Sequence, residues 1–330
     1  MRRVARSLLV CYNVPYGKTK ERFLIMELLK YLQTVRMPWL DSVVDALTYL
    51  GDEVFFMLVG LLLLWCIDKK WGFRLLFVGM LGTSFNQLLK GIFLIPRPWI
   101  LDPTFEIVES ARAGATGYSF PSGHTHSAVS VFTTLAVWQK KKWVTAGCVL
   151  LMLVVGFSRM YLGVHTPLDV GVSLIAGLVL TLVLLHLFER ADEKKTLRIT
   201  LCTTVFTALV LAYLCLVPKG EKNMPEFDLH GVESMSKMLG ASVGVMLAWY
   251  LDMKYVHFET KAPLWAQAVK LLGGVALVLL VKSGMKPVFN FIFGDNAMAD
   301  GVRYFAIAAA GGILWPMTFR FLGKRNGEKN

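Results

Sequence analysis

The sequence predicts an all-α polytopic membrane bundle of about nine transmembrane helices, and three observations carry that prediction. Of 330 residues, 55% are hydrophobic, with a mean hydropathy of +0.54, beyond the composition of ordinary soluble domains. The hydrophobic residues gather into runs of about 17–25 residues, the length a bilayer crossing demands. The segments between the runs are polar and rich in Lys and Arg, as in the loops of membrane proteins.

Residues 1–41 are basic and only moderately apolar. Arg2, Arg3 and Arg6 precede a short apolar stretch, Ser7 to Cys11, which does not resemble a cleavable signal. From Arg22 to Val35 the apolar positions repeat at helical spacing, but Glu27 and Lys30 interrupt them. That pattern predicts an interfacial amphipathic helix rather than a span. Spans follow near 43–66, 72–95, 123–139, 143–161, 167–188, 198–217, 235–252, 263–282 and 302–321. The last three hold more Gly and Lys, and Gly240 with Gly244 gives the seventh a small face suited to helix packing. The chain shows no internal repeat and no low-complexity segment. It therefore reads as one domain: a basic N-terminal segment (1–41), a core (42–190) and a C-terminal transmembrane extension (191–330).

Cys11, Cys66, Cys148, Cys202 and Cys215 lie far apart, without metal-ligand spacing or an evident disulfide framework, and read as packing residues. The net charge of +12 suits a membrane protein facing anionic lipid. A nucleic-acid partner is not expected, because the basic residues sit in loops between spans. Four basic groups orient the bundle: Lys69, Lys70 and Arg74; Lys140, Lys141 and Lys142; Arg190, Lys194, Lys195 and Arg198; and Arg320, Lys324, Arg325 and Lys329. All four fall on one side, read as cytoplasmic. Gly91–Ser122 and the turn at His165 then face the other side. The basic N-terminus disagrees unless 22–40 crosses the membrane.

Three polar motifs meet on that non-cytoplasmic face. The segment Ser158 to Asp169 sets an arginine, a histidine and an aspartate between two hydrophobic spans. Arg at the centre of a spanning helix costs about 2.5–3.5 kcal/mol, so charge at such a place is read as functional. Ordinary helix-start chemistry accounts for Thr166 as N-cap, Pro167 as first residue and Asp169 as first-turn acid. It leaves Arg159 and His165 unexplained, and an i,i+4 step can set the Asp169 carboxylate beside the His165 imidazole. Lys90 and Arg97 close the second span, two helical turns apart, so a continuous helix would put both on one side. Pro121, Ser122, Gly123 and His124 open the third span, where Ser122 can cap the helix and the free N–H groups make an anion site. Three cations with helix N–H groups suit a phosphate, and two histidines suit one nucleophile and one general acid. No carboxylate cluster or Cys/His set is evident to hold a divalent metal, so neither metal nor cofactor is expected.

Lys90 to Pro98, Pro121 to His124 and Ser158 to Asp169 fit K-x6-R-P, P-S-G-H and S-R-x5-H-x3-D in that order. Over roughly residues 43–190 the chain resembles the type 2 phosphatidic acid phosphatase family, relatives of the vanadium haloperoxidases. The resemblance implies that His165 is the nucleophile forming a phosphohistidine, that Asp169 orients it, and that His124 protonates the leaving group. Lys90, Arg97, Ser122, Gly123 and Arg159 would bind the phosphate oxygens. A first motif ending the second of nine spans is similar to glucose-6-phosphatases and sphingosine-1-phosphate phosphatases, and Ser158 to His165 is similar to the latter as well.

The expected protein is an integral, metal-independent phosphatase, placed in the plasma membrane with its site on the non-cytoplasmic face. Its substrate would be a membrane lipid phosphate or pyrophosphate: phosphatidic acid, phosphatidylglycerol phosphate, undecaprenyl pyrophosphate or a sphingoid base phosphate. The loop Trp99–Phe120 is expected to lid the site. The alternatives are a phosphotransferase using the same histidine, or a catalytically silent lipid-binding or transport protein.

Overall fold

The computed structural model describes residues 20–217 and 224–322. Arg2, Arg3, Arg6, the stretch Ser7 to Cys11, Lys324, Arg325 and Lys329 lie outside the described residues. Every regular element among the described residues is helical, and the chain is an integral membrane protein. The helices that position the site are α1 (Lys20–Thr34), α2 (Pro38–Thr48), α3 (Glu53–Leu62), α4 (Lys69–Phe93), α5 (Gly123–Gln139), α6 (Lys142–Tyr161), α7 (Pro167–Glu189), α8 (Glu193–Leu216), α9 (Pro225–Leu251), α10 (Leu264–Leu279) and α11 (Ala297–Ala309).

The count of nine crossings is not reproduced. Among the described residues, six helices are long and apolar enough to cross a bilayer, or seven if the bent pair Pro38–Gly51 and Glu53–Ile67 forms one span. That pair replaces the continuous first span expected over 43–66. The helix ends at Gly51, and Asp52 starts the next by accepting the Val54 N–H at 2.8 Å, with a bend of 50°. α5 has 17 residues and sits among α4, α6 and α7, with Ala128, Val131 and Phe132 buried. A helix surrounded by protein needs no lipid-facing apolar length. Its Ser130 and Thr134 hydroxyls bond the carbonyls of His126 and Ser130, four residues back. α9 is long at 27 residues but carries Glu226, Asp228, Glu233 and Lys237.

The small face expected at Gly240 and Gly244 joins α9 to α11. A Cβ on Gly240 would lie 1.9 Å from the Gly301 carbonyl oxygen, and one on Gly244 2.6 Å from Ala308 Cβ. The fully buried Trp65 ties the turn after α3 to the turn after α11 by donating Nε1–H to the Gly311 carbonyl at 2.9 Å. α1 packs on α6, with Leu29 and Leu32 buried. After it, Arg36 donates Nε–H to the Tyr161 carbonyl at 3.0 Å and Nη1–H to the Glu106 carbonyl at 2.6 Å. The amphipathic stripe of this 15-residue helix thus meets protein. Cys148 is a buried packing residue as expected, whereas Cys202 and Cys215 are exposed; all described cysteines are free thiols.

The bundle has two chemically distinct ends. At one, Lys69 pairs with Asp252 at 2.7 Å and Arg74 bonds the Phe188 carbonyl at 3.2 Å, joining the basic loops. The three motifs lie at the other.

Candidate active site

α4 carries Lys90 in its last turn, 7% exposed, where Nζ donates to the Tyr118 carbonyl at 2.7 Å. The continuous helix expected from Lys90 to Arg97 is absent. α4 stops where Leu94 turns left-handed (φ 50°), just before Ile95 and Pro96, and Pro96 cannot donate a helical N–H. Arg97 nevertheless reaches the same place, because its side chain is drawn in by four acceptors. Nε donates to the Gly117 carbonyl (2.9 Å), Nη2 to the Thr116 carbonyl (2.7 Å), and Nη1 to the Val164 carbonyl (3.0 Å) and to His165 Nε2 (2.9 Å).

That last contact fixes the imidazole tautomer. Arginine only donates, so Nε2 accepts and the ring proton sits on Nδ1. Nδ1 is 3.4 Å from Asp169 Oδ2, adjacent but longer than a formed hydrogen bond. Burial, then the charges of Arg97, Arg159 and Lys90, hold the His165 imidazole well below its usual pKa range, so it is neutral at pH 7.

The helix-start reading of the Thr166–Asp169 turn holds, and the carboxylate also lies beside the imidazole. Thr166 accepts the Asp169 N–H at 3.2 Å while Asp169 Oδ2 accepts the Thr166 N–H at 2.8 Å, a complete capping box opening α7. The same Oδ2 also accepts the Ser119 hydroxyl at 2.6 Å, and Oδ1 has no partner. One carboxylate oxygen thus starts a helix, holds the lid loop and faces the imidazole.

On the opposite wall, Ser122 caps α5 by accepting from the Thr125 N–H (3.4 Å) and hydroxyl (2.9 Å). Gly123 follows, and a Cβ there would meet nothing within 4 Å, so the helix start opens onto free space. His124 Nε2 lies 3.8 Å from Asp52 Oδ2, at the bend between α2 and α3. Arg159, 1% exposed, donates only Nη1–H, to Thr48 Oγ1 at 2.9 Å; Nε and Nη2 have no partner. Lys90, Arg97, Gly123, His124 and His165 line one cavity of about 520 Å³.

Five of the eight residues singled out in the sequence thus line one cavity, Ser122 and Asp169 adjoin Gly123 and His165, and Arg159 is near enough for its charge to act on His165. The structure adds Thr48, Asp52, Ser119 and the carbonyls of Thr116, Gly117 and Tyr118, none of which carries a local sequence signal. The loop after α4, expected to lid the site, supplies those carbonyls, and its Asp102 pairs with Lys30 of α1 at 2.9 Å. Among the described residues, no group of three or more His, Cys, Asp or Glu is placed to hold a metal ion.

The PAP2 superfamily profile matches residues 71–193, and the profile described as PAP2 superfamily phosphatase, transmembrane extension, matches residues 236–327. A probable sphingosine-1-phosphate phosphatase of Dictyostelium discoideum is 28% identical over 257 residues, covering 73% of this chain and 60% of the relative. Phosphatidylglycerophosphatase B of Bacillus subtilis is 30% identical over 177 residues, 48% of this chain and 79% of the relative. A crystal structure of a transmembrane PAP2-type phosphatidylglycerolphosphate phosphatase from Bacillus subtilis aligns at 25% identity with a TM-score of 0.44, covering 57% of this chain and 96% of that one. The first profile encloses all three motifs, and phosphatidylglycerophosphatase B is matched over 79% of its own length at 30% identity; this chain belongs to the PAP2 superfamily and carries that superfamily's transmembrane extension.

Proposed function

We propose that this protein is an integral membrane phosphatase that hydrolyses a lipid phosphate or pyrophosphate through a phosphohistidine at His165. The observation that carries the reading is the state of that imidazole: neutral, protonated on Nδ1 toward Asp169, with its Nε2 lone pair turned into a ring of cations. The named activities of the relatives support the same chemistry.

In the proposed reaction, the phosphate group displaces the Arg97 contact on Nε2 and takes up its freed N–H. The unpartnered Nε and Nη2 of Arg159, with the Gly123 end of α5, receive the other phosphate oxygens as charge builds in the transition state. Nε2 attacks phosphorus, the ester P–O bond breaks, and His124 gives its proton to the leaving oxygen. The negative charge of the bound phosphate, with Asp52 at 3.8 Å, favours the protonated form of His124 before that step. In the second step His124 takes a proton from water, the water oxygen attacks phosphorus, and the P–N bond breaks. Phosphate leaves and both histidines return to their starting states. Asp169 holds the imidazolium charge while His165 is phosphorylated.

Phosphate release measured in detergent with EDTA tests this reading. Wild type should release phosphate from at least one of phosphatidic acid, phosphatidylglycerol phosphate, undecaprenyl pyrophosphate and sphingosine-1-phosphate. His165→Ala and His124→Ala should each lower the rate by roughly 10³-fold or more. The acid limb of the wild-type kcat/KM profile should lie below about pH 6.5, the ordinary histidine value, because a lowered His165 pKa delays its protonation as pH falls. Near-normal turnover in either variant sinks its assigned role.

We further propose that the site faces away from the cytoplasm, on the strength of the basic groups at the opposite end. Ala113 is an exposed lid position, whereas Ala115 is buried. Ala113→Cys, with the other cysteines removed, should react with an impermeant thiol reagent in intact cells. Labelling only after lysis reverses the orientation.

A further inference from the structure

The cavity that holds the phosphate site does not end there. It continues between α3, α4, α9, α10 and α11 as far as Leu64, Phe73 and Ala248. Along α4 its lining runs from Lys90 to Phe73, 17 residues or about 25 Å of helix. That is most of the roughly 30 Å hydrocarbon thickness of a bilayer.

The lining changes character with depth. The hydrogen bond from Gln87 Nε2 to Ser234 Oγ (3.1 Å) sets the register of α4 against α9. The charged lining is confined to the upper part: Glu53 opens α3, Lys237 stands one turn below Ser234, and Lys282 lies in the turn that ends α10. Below these the walls are apolar, with Leu76 and Met80 facing Val245, Val278 and Ile307 of the extension. One turn below Lys90 on α4 stands Asn86, and His126 lies against Gly82, one turn further down the same helix, and against Gly177 of α7. These side chains are 4% and 3% exposed, yet Asn86 Nδ2 and both His126 ring nitrogens have no hydrogen-bond partner. Buried polar groups without partners are uncommon.

We propose that this shaft seats the hydrocarbon chain of the substrate, and that Asn86 and His126 bind a hydroxyl or amine next to the phosphate ester. The inference rests on the phosphatase reading above. A volume of about 520 Å³, shared with the phosphate site, leaves room for one hydrocarbon chain rather than two. The preferred substrate is therefore the phosphate monoester of a single-chain amphiphile with a polar group beside the ester, rather than a two-chain lipid. The C-terminal extension thereby gains a role in substrate binding, since α9, α10 and α11 form the wall that separates the chain from the bilayer.

A series of n-alkyl phosphates, from butyl to hexadecyl, reads the shaft directly. In wild type, KM should fall about fourfold for each methylene added, the transfer value for a buried CH2, until the shaft is full. Ala248→Phe fills the floor and should stop that gain several carbons earlier while leaving butyl phosphate turnover unchanged. Val278→Phe, on a different helix, should do the same if the first variant folds poorly. Partition into detergent affects wild type and variants alike, so the difference between them isolates the shaft. Asn86→Leu should erase a several-fold preference for 2-hydroxyalkyl over plain alkyl phosphates.

An alkyl phosphate with a terminal diazirine gives a readout independent of turnover, and on photolysis it should label peptides containing Phe73, Val245 or Val278. Chain-length profiles that coincide in wild type and both variants, or labelling confined to the lipid, overturn the shaft while the phosphatase stands. Absence of phosphate release from every substrate overturns the phosphatase reading instead, and the photolabel then decides the shaft alone.

Discussion

The loop wall of the site and its helix wall hold their arginines in opposite ways. On the loop wall, Arg97 spends its donors on three carbonyls and an imidazole nitrogen. On the helix wall, Arg159 is as deeply buried but bonds only Thr48, leaving two nitrogens without partners. Desolvating a cation is expensive unless it is hydrogen-bonded. The first arrangement satisfies that demand within the protein, whereas the second leaves it unmet. On the proposed mechanism, the difference separates a clasp, which holds the loop and the imidazole in place, from a receptor for phosphate oxygens.

Substitutions can break this comparison. Arg159→Met should lower kcat by about 10²–10³-fold, the scale for losing one preorganised transition-state donor, while the thermal midpoint holds or rises because an underpaired buried charge has gone. Arg97→Met should lower activity and also the thermal midpoint, because it strands the carbonyls of Thr116, Gly117 and Val164; each stranded acceptor costs about 1–3 kcal/mol. If the two variants shift the midpoint equally, the clasp and receptor distinction fails. Thr48→Val is the finest probe. It frees Nη1 of Arg159 without removing charge and should reduce kcat about tenfold or less, in line with one hydrogen bond to a charged group at about 1.5 kcal/mol. Unchanged kinetics would mean that Thr48 does not aim the guanidinium.

The place of the candidate site was legible in the sequence because charged side chains are costly inside a membrane and stand out there. Lys90, Arg97, His124, Arg159, His165 and Asp169 stand out against their apolar surroundings. Their supports did not stand out, for two physical reasons. The carbonyls that hold Lys90 and Arg97 belong to every residue type and carry no identity. Thr48 and Ser119 reach their partners across 111 and 50 positions, with nothing local to mark them. Local rules also cut both ways at Asp169, where helix-start chemistry and the proposed orientation of His165 use the same oxygen.

The count of nine spans is not confirmed for a related reason. Hydropathy reports what a helix must show to lipid, and α5 shows most of its surface to other helices. The bend at Gly51 lies within an apolar run, where only the Gly51-Asp52 pair hinted at a break.

That bend has a consequence for the neighbouring motif. A Cβ on Gly51 would lie 2.5 Å from the carbonyl oxygen of His124 and 2.8 Å from Val155 Cγ1. The first obstacle is main chain, so no change of rotamer relieves it. Any larger residue would lever the opening turn of α5 outward and carry the imidazole of His124 away from Asp52. The seat of the proposed proton donor is thus gauged from outside all three motifs, by a carbon atom that is missing.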